Sequence, residues 1–192
     1  MADFTKKIED NIAILQWDCV GKSMNTMTID GFKLFEELVI ESLGDKKIRG
    51  IIITSGKSDF SGGMDLSTLE SLKSNTGDNP AAKIFEFVTR AHNLLRKIEL
   101  GKIDKKDAPK PVVWAASGVS AGIGTEIGLA CHRRLLSSAS GSRVGLPEIL
   151  VGLFPGLGGT TRIPRMVGLM GASSILLEGK LFPPSKAKSI GT

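Results

Sequence analysis

Two hydrophobic periods alternate along this 192-residue chain. Ile12-Ala-Ile-Leu-Gln-Trp17 reads as a first strand, with a loop after it through Gly21-Lys-Ser-Met-Asn25. From Thr28 to Leu43 the positions of Ile29, Phe32, Leu34, Phe35, Leu38 and Val39 trace one helical face, and Gly44 ends it. Arg49-Gly-Ile-Ile-Ile-Thr-Ser55 is a short isoleucine-rich run, the pattern of a buried strand. A glycine turn at 62–63 follows directly, then a short predicted helix over Asp65 to Leu72. Ser74 to Pro80 is polar and reads as a mobile linker. Ala81 to Leu100 is again helical, and Pro109 and Pro111 interrupt the chain before a strand at Val112 to Ala116. A turn over Gly118–Gly122 opens a helix from about Ala121 to Cys131, and Arg134 to Ser138 reads as a strand. Gly159 to Val167 and Ala172 to Leu177 read as two further helices. Strands alternating with helices predict an α/β architecture, and the length predicts one domain over 1–192.

Composition narrows the picture modestly. An apolar content of 41% suffices for a real core, and 23 glycines with no tyrosine favour tight turns and close backbone approaches. The net charge of +5 comes from scattered lysines; the densest cluster, Lys102 to Lys110, is interrupted by Asp104 and Asp107. No basic stripe interleaved with aromatics occurs, so nucleic-acid binding is not expected. The positive balance suits anionic small ligands or simply a solvated lysine surface. Cys19 and Cys131 show neither metal-ligand spacing nor a disulfide framework, which predicts a reducing compartment. The first ten residues lack the apolar run of a signal peptide. Pro111 to Cys131 carries one charge, Glu126, but its glycines and serines fit a buried strand, turn and helix better than a membrane span.

Candidate chemistry concentrates in three glycine-rich turns. In Gly118-Val-Ser-Ala-Gly-Ile-Gly-Thr-Glu126 the first helical turn offers unpaired N–H groups and partial positive charge to a carbonyl oxygen, with Glu126 close by. A glutamate that merely complements the helix dipole would look the same. Phe60-Ser-Gly-Gly-Met-Asp-Leu66 repeats the strand–glycine–helix order, and two separated N–H donors can form an oxyanion hole. Asp65 there reads as a loop-fixing residue. The third turn runs from Gly145-Leu-Pro-Glu148 to Gly156-Leu-Gly-Gly159. An apolar setting would raise the pKa of Glu148 and suit it as a proton donor, while a salt bridge to Arg143 or Arg162 is the alternative. His92 and His132 read as surface or helix-terminus residues. Ser23, Ser61 and Ser120 have no histidine at suggestive spacing, and neither a dinucleotide fingerprint nor a Walker loop occurs.

These segments, with Lys22-Ser-Met-Asn25 and the run Thr160-Thr-Arg-Ile-Pro-Arg-Met-Val-Gly168, resemble the crotonase (enoyl-CoA hydratase/isomerase) superfamily over nearly the whole chain. The resemblance is strongest to the amino-terminal hydratase part of multifunctional fatty-acid oxidation enzymes of the alpha-subunit type. It implies a ClpP/crotonase-like spiral of strand-strand-helix units, here expected to lack the carboxy-terminal helices. It implies hydration of 2-enoyl-CoA in β-oxidation. Backbone N–H groups of Met64 and Ile123 would hold the thioester oxygen, Glu126 would activate water, Glu148 would protonate the α-carbon, and the N–H of Gly156 would help hold the water. Lys22, Ser23 and Met24, with Ser61, Gly62, Gly63 and Gly122, would cradle coenzyme A and substrate. Two positions depart from the pattern: Ile123 replaces the usual glycine and is expected to crowd the acyl group, and Met64 replaces a frequent alanine. The resemblance further implies no metal, no cofactor beyond the coenzyme A of the substrate, and a cytoplasmic or mitochondrial-matrix protein. Its partners would be copies of itself, as a trimer, or a fatty-acid oxidation complex. A 3-enoyl to 2-enoyl isomerase, another crotonase chemistry such as thioester hydrolysis, and a non-catalytic acyl-CoA-binding module stay open.

Overall fold

The computed structural model describes residues 2–68, 70 and 79–191. Strand β1 (Phe4–Glu9) precedes the strand expected to be first, β2 (Ile12–Trp17), and pairs with it antiparallel. Asp10 and Asn11 join them with φ of 49° and 64°, the left-handed pair of a two-residue hairpin turn that Asp and Asn tolerate. β1 escapes the hydrophobic pattern because of its six residues only Phe4 is buried. Its lysines are those of an edge strand.

Helix α1 (Ile29–Gly44) crosses to β3 (Gly50–Ser55), which lies parallel to β2. Thr28 caps α1 by accepting the Gly31 N–H at 3.0 Å. Helical residues at 66–68 follow the 62–63 turn; the rest of that predicted helix, and most of the 74–80 linker, lie outside the described residues. Helix α2 (Pro80–Leu100) starts at Asn79, whose side chain accepts the Ala82 N–H, and stops at Gly101 in the left-handed region. Then come β4 (Val112–Ala116), β5 (Val119–Ala121), α3 (Ile123–Ala130) and β6 (Arg133–Leu136). The main sheet has the order β1-β2-β3-β4-β6, parallel after the first pair. β5 leaves it for a small second sheet with β7 (Arg143–Gly145) and β8 (Leu181–Phe182), three short strands the hydrophobic pattern does not reveal. A 3-10 turn (Glu148–Val151) leads to α4 (Gly159–Leu176), and α5 (Pro184–Ile190) comes last. Gly168 breaks α4 with non-helical φ and ψ of 74° and 166°, so the two helices predicted there are two segments of a kinked one. Among the described residues no helix is long and apolar enough to cross a membrane.

The few aromatic rings are gathered where they matter. Phe35, Phe4, Trp17, Phe60 and Trp114 form a row with successive centroids 5.1, 5.1, 5.9 and 5.0 Å apart, running from α1 across the sheet. The Trp114 ring lies against α3, where a Cβ on Gly128 would stand 2.9 Å from it. All eight residues of α3 are buried. A helix that small-sided can be enclosed by strands and helices on every side.

Asn25 ties the first loop to both strands beside it. It is fully buried, accepts the Cys19 N–H at 2.8 Å, and donates to the Trp17 carbonyl at 3.0 Å, Ser55 Oγ at 3.0 Å and the Phe60 carbonyl at 3.1 Å. Leaving a buried polar group without a partner costs roughly 1–3 kcal/mol. Asn25→Ala removes the partners of the Cys19 N–H and the Phe60 carbonyl together, so it should destabilise the fold by about 2–4 kcal/mol. Urea unfolding measures this; a loss below about 0.5 kcal/mol would contradict the role given to Asn25.

Candidate active site

Two turns meet because their strands are in register. Ser61 and Ser120 form a parallel bridge, reinforced by Phe60 and Ser61 N–H groups on the Val119 carbonyl and by the Ala121 N–H on the Ser61 carbonyl. Three residues beyond each serine stand Met64 and Ile123. A Cβ on Gly122 would lie 3.3 Å from the Gly63 Cα and 3.4 Å from Glu148 Oε1, so the two turns touch with only glycine between them. Gly63 and Gly122 also have φ of 102° and 56°, which a side chain would strain. Met64 is bridged to Met27 through the neighbouring Gly63 carbonyl and Asp65 N–H, which leaves its own N–H turned the other way. Ile123 begins α3, where N–H groups have no intrahelical acceptor. Among the described residues neither N–H carries a hydrogen bond.

The cavity in front of them has a volume of about 500 Å³. Gly62, Gly63, Met64, Gly122, Ile123, Glu126, Glu148 and Gly156 all border it, and Leu66, Ile84, Phe87, Leu150 and Phe154 supply apolar wall. Ile123 is itself 4% exposed and joins the main core, so most of its bulk is spent on packing rather than on the cavity. A larger cavity of about 650 Å³ lies on the other face of α3, past Thr125, Gly128 and Leu129. No Asp or Glu among the described residues borders it, whereas Glu126 and Glu148 both border the smaller cavity.

The two glutamates sit in unlike surroundings. Glu126, 2% exposed, turns Oε1 toward the N–H groups of Leu157 and Gly159, each at 2.8 Å. Burial raises its pKa, and these two hydrogen bonds oppose the rise. Glu148 stands at the start of the 3-10 turn, and its Oε2 has no partner among the described residues. Burial, followed by the nearby charge of Glu126, pushes its pKa to about 7. The salt-bridge alternative for Glu148 does not hold: Arg162 faces Glu99 at 3.4 Å, and Arg143 donates to the Ser140 and Ser142 carbonyls.

Four residues expected to cradle the ligand stand away from the cavity wall. Ser61 is fully buried and its Oγ accepts the Gly63 N–H at 3.0 Å, so its side chain shapes the glycine turn from behind. Lys22 bonds Asp65 at 2.7 Å and Thr26 at 2.9 Å. Asp65, held well below the usual carboxylate range by the Lys22 hydrogen bond first, also accepts Ser67 and Thr68 N–H groups, as a loop-fixing residue does. Met24 packs its sulfur where a Gly62 Cβ would come within 2.6 Å, and Ser23 is exposed beside it. His92, read from sequence as a surface residue, places Nε2 2.7 Å from the Gly156 carbonyl. Its helical spacing carries no signal that links it to a loop 64 residues away. The Leu157 and Gly159 donors lie inside a recognised glycine-rich stretch, but only the folded loop shows that they face Glu126. Among the described residues no three His, Cys, Asp or Glu side chains gather as metal ligands would.

An α/β core that brings two glycine turns and two carboxylates, one buried and one half-buried, to one cavity defines a crotonase-like protein. Residues 22–192 match the enoyl-CoA hydratase/isomerase family, and the chain belongs to it. It is 38% identical over 184 residues to the fatty acid oxidation complex subunit alpha of Shewanella putrefaciens, and 37% to that of Shewanella baltica. Each match covers 95% of this chain and 24% of the relative, so the chain spans about a quarter of their length. An enoyl-CoA hydratase from Geobacillus kaustophilus superposes with a TM-score of 0.85 at 26% identity, covering 100% of this chain and 66% of that one. One from Thermoplasma volcanium gives 0.84 at 20% identity, covering 100% of this chain and 70% of that one, and shows the shared fold.

Because the Glu126 charge is one cause of the Glu148 shift, carboxylate ¹³C NMR should find Glu148 titrating near 7 and moving down in Glu126→Gln. A Glu148 titration in the ordinary range near 4.3 would contradict the enclosed environment described above.

Proposed function

We propose that this chain hydrates 2-enoyl-CoA to 3-hydroxyacyl-CoA. The observation that carries the reading is the pairing of two unlike carboxylates with two unbonded N–H groups at one cavity. The thioester oxygen accepts from Met64 and Ile123, which lowers the energy of the enolate that forms when oxygen adds to the β-carbon. One such donor is worth roughly 3–4 kcal/mol of barrier. Glu126, with Oε1 fixed by two N–H groups, uses Oε2 to take a proton from water as the water oxygen bonds to the β-carbon. The N–H of Gly156 steadies that water. Glu148, protonated up to about pH 7, gives its proton to the α-carbon. One water is added, and a proton passed from Glu126 back to Glu148 resets the pair.

The Lys22–Met24 segment and the turn at 61–64 hold coenzyme A, Ser61 through the turn it shapes. Glu148 alone, at the cavity wall, suffices to move a proton between carbons in the 3-enoyl to 2-enoyl isomerisation. Hydration thus needs both glutamates, and isomerisation needs Glu148 alone. The relatives' name makes association with a fatty-acid oxidation complex part of the same proposal.

Two measurements test it. Glu126→Gln should lower hydration of a short 2-enoyl-CoA by roughly 100- to 10,000-fold, while isomerisation of a 3-enoyl-CoA falls less than tenfold. Equal loss of both would overturn the division of labour. In the unmodified protein kcat/KM for hydration should decline as pH rises above about 7, because Glu148 loses the proton it must deliver. A profile flat from about pH 6 to 9 would remove Glu148 from that role.

A further inference from the structure

We propose that His92 is a positioning residue for Glu126, acting through the single peptide unit that joins Gly156 to Leu157. The carbonyl of that unit lies 2.7 Å from His92 Nε2, and its N–H lies 2.8 Å from Glu126 Oε1. A carbonyl oxygen only accepts, so the contact requires the tautomer that carries its proton on Nε2. In a planar trans peptide the C=O and N–H point in opposite directions. Fixing one therefore fixes the other, and each bond polarises the peptide in the sense that strengthens its partner.

A second hold comes from the same helix face. Glu99 lies seven residues after His92, two turns along α2, and pairs with Arg162 at 3.4 Å. Arg162 donates to the Leu157 carbonyl at 3.2 Å and lies where a Cβ on Gly158 would come within 2.2 Å of it. The carbonyls of residues 156 and 157 are thus held from one side, while the N–H groups of 157 and 159 serve Glu126 on the other. His92 is exposed, so its bond to the loop is not a by-product of core packing. Without it the peptide can tilt, the Leu157 N–H slips from Oε1, and Oε2 loses its fixed direction. A displacement of this kind at a reacting group can cost on the order of 100-fold in rate. The charged groups that face the Glu126 carboxylate are Glu148 and Arg162.

This inference rests on the reading of Glu126 as the base, and its test separates the two. In the full-length protein, His92→Leu and His92→Gln are compared by kcat and KM for 2-enoyl-CoA hydration and by ¹³C titration of the Glu126 carboxylate. His92→Leu should lower kcat about tenfold with KM within about twofold, and the Glu126 titration should move up as its hydrogen bond weakens. His92→Gln, whose amide can donate to the same carbonyl, should restore both. A Leu variant with unchanged kcat and unchanged titration overturns the proposal, as does a Gln variant as impaired as the Leu one. If the unmodified protein does not hydrate, the functional reading fails, and the titration comparison alone decides the role of His92.

Discussion

The site depends on a buried carboxylate that the backbone holds in place. Glu126 is among the most enclosed polar groups of the chain, and a bare charge there would be costly. Two N–H groups from one short loop meet Oε1, so the loop at 156–159 and helix α3 are fixed against each other. The hold also divides the carboxylate in function. One oxygen is spent on structure, and the proposed function assigns chemistry to the other. Glu148 contrasts with it: less buried as a whole, its Oε2 without a partner among the described residues, and its pKa raised to about 7. Burial raises the pKa of both, and only Glu126 has two backbone N–H groups opposing the rise.

A second constraint is steric. The Met64 and Ile123 N–H groups can be adjacent only if two turns approach at van der Waals distance, and Gly63 and Gly122 are the residues that permit it. The parallel bridge between Ser61 and Ser120 sets the offset, so that Met64 and Ile123 arrive together. Asn25 anchors the turn from behind through the Phe60 carbonyl, and the aromatic row from Phe35 to Trp114 supports the strands beneath. Fold and site are therefore joined through a few short contacts, most of them to backbone.

Much of this was legible from the residues. The long elements, α1, β3, α2 and β4, follow from apolar spacing, because each buries a regular face. The glycine turns and both glutamates stand out because chemistry and turn geometry restrict their residue types. What escaped detection has physical reasons. β1 buries one side chain of six, so it has no hydrophobic signal. β5, β7 and β8 are two or three residues long, too short to show a hydrophobic period. That the Ser61 hydroxyl turns inward to accept the Gly63 N–H shows only in the folded chain. His92 acts across a separation of 64 residues on a carbonyl oxygen, a partner that any sequence offers everywhere.

The central claim is that the two glutamates handle different protons at one enolate-stabilising site. It is tested most directly by following deuterium exchange at the α-carbon in D₂O, by NMR, for an acyl-CoA and its 2-enoyl counterpart in Glu126→Gln and Glu148→Gln. The account predicts that Glu126→Gln still exchanges α-protons of the acyl-CoA but does not hydrate the enoyl-CoA, and that Glu148→Gln does neither. Exchange that persists without Glu148, or hydration at the unmodified rate without Glu126, would contradict it.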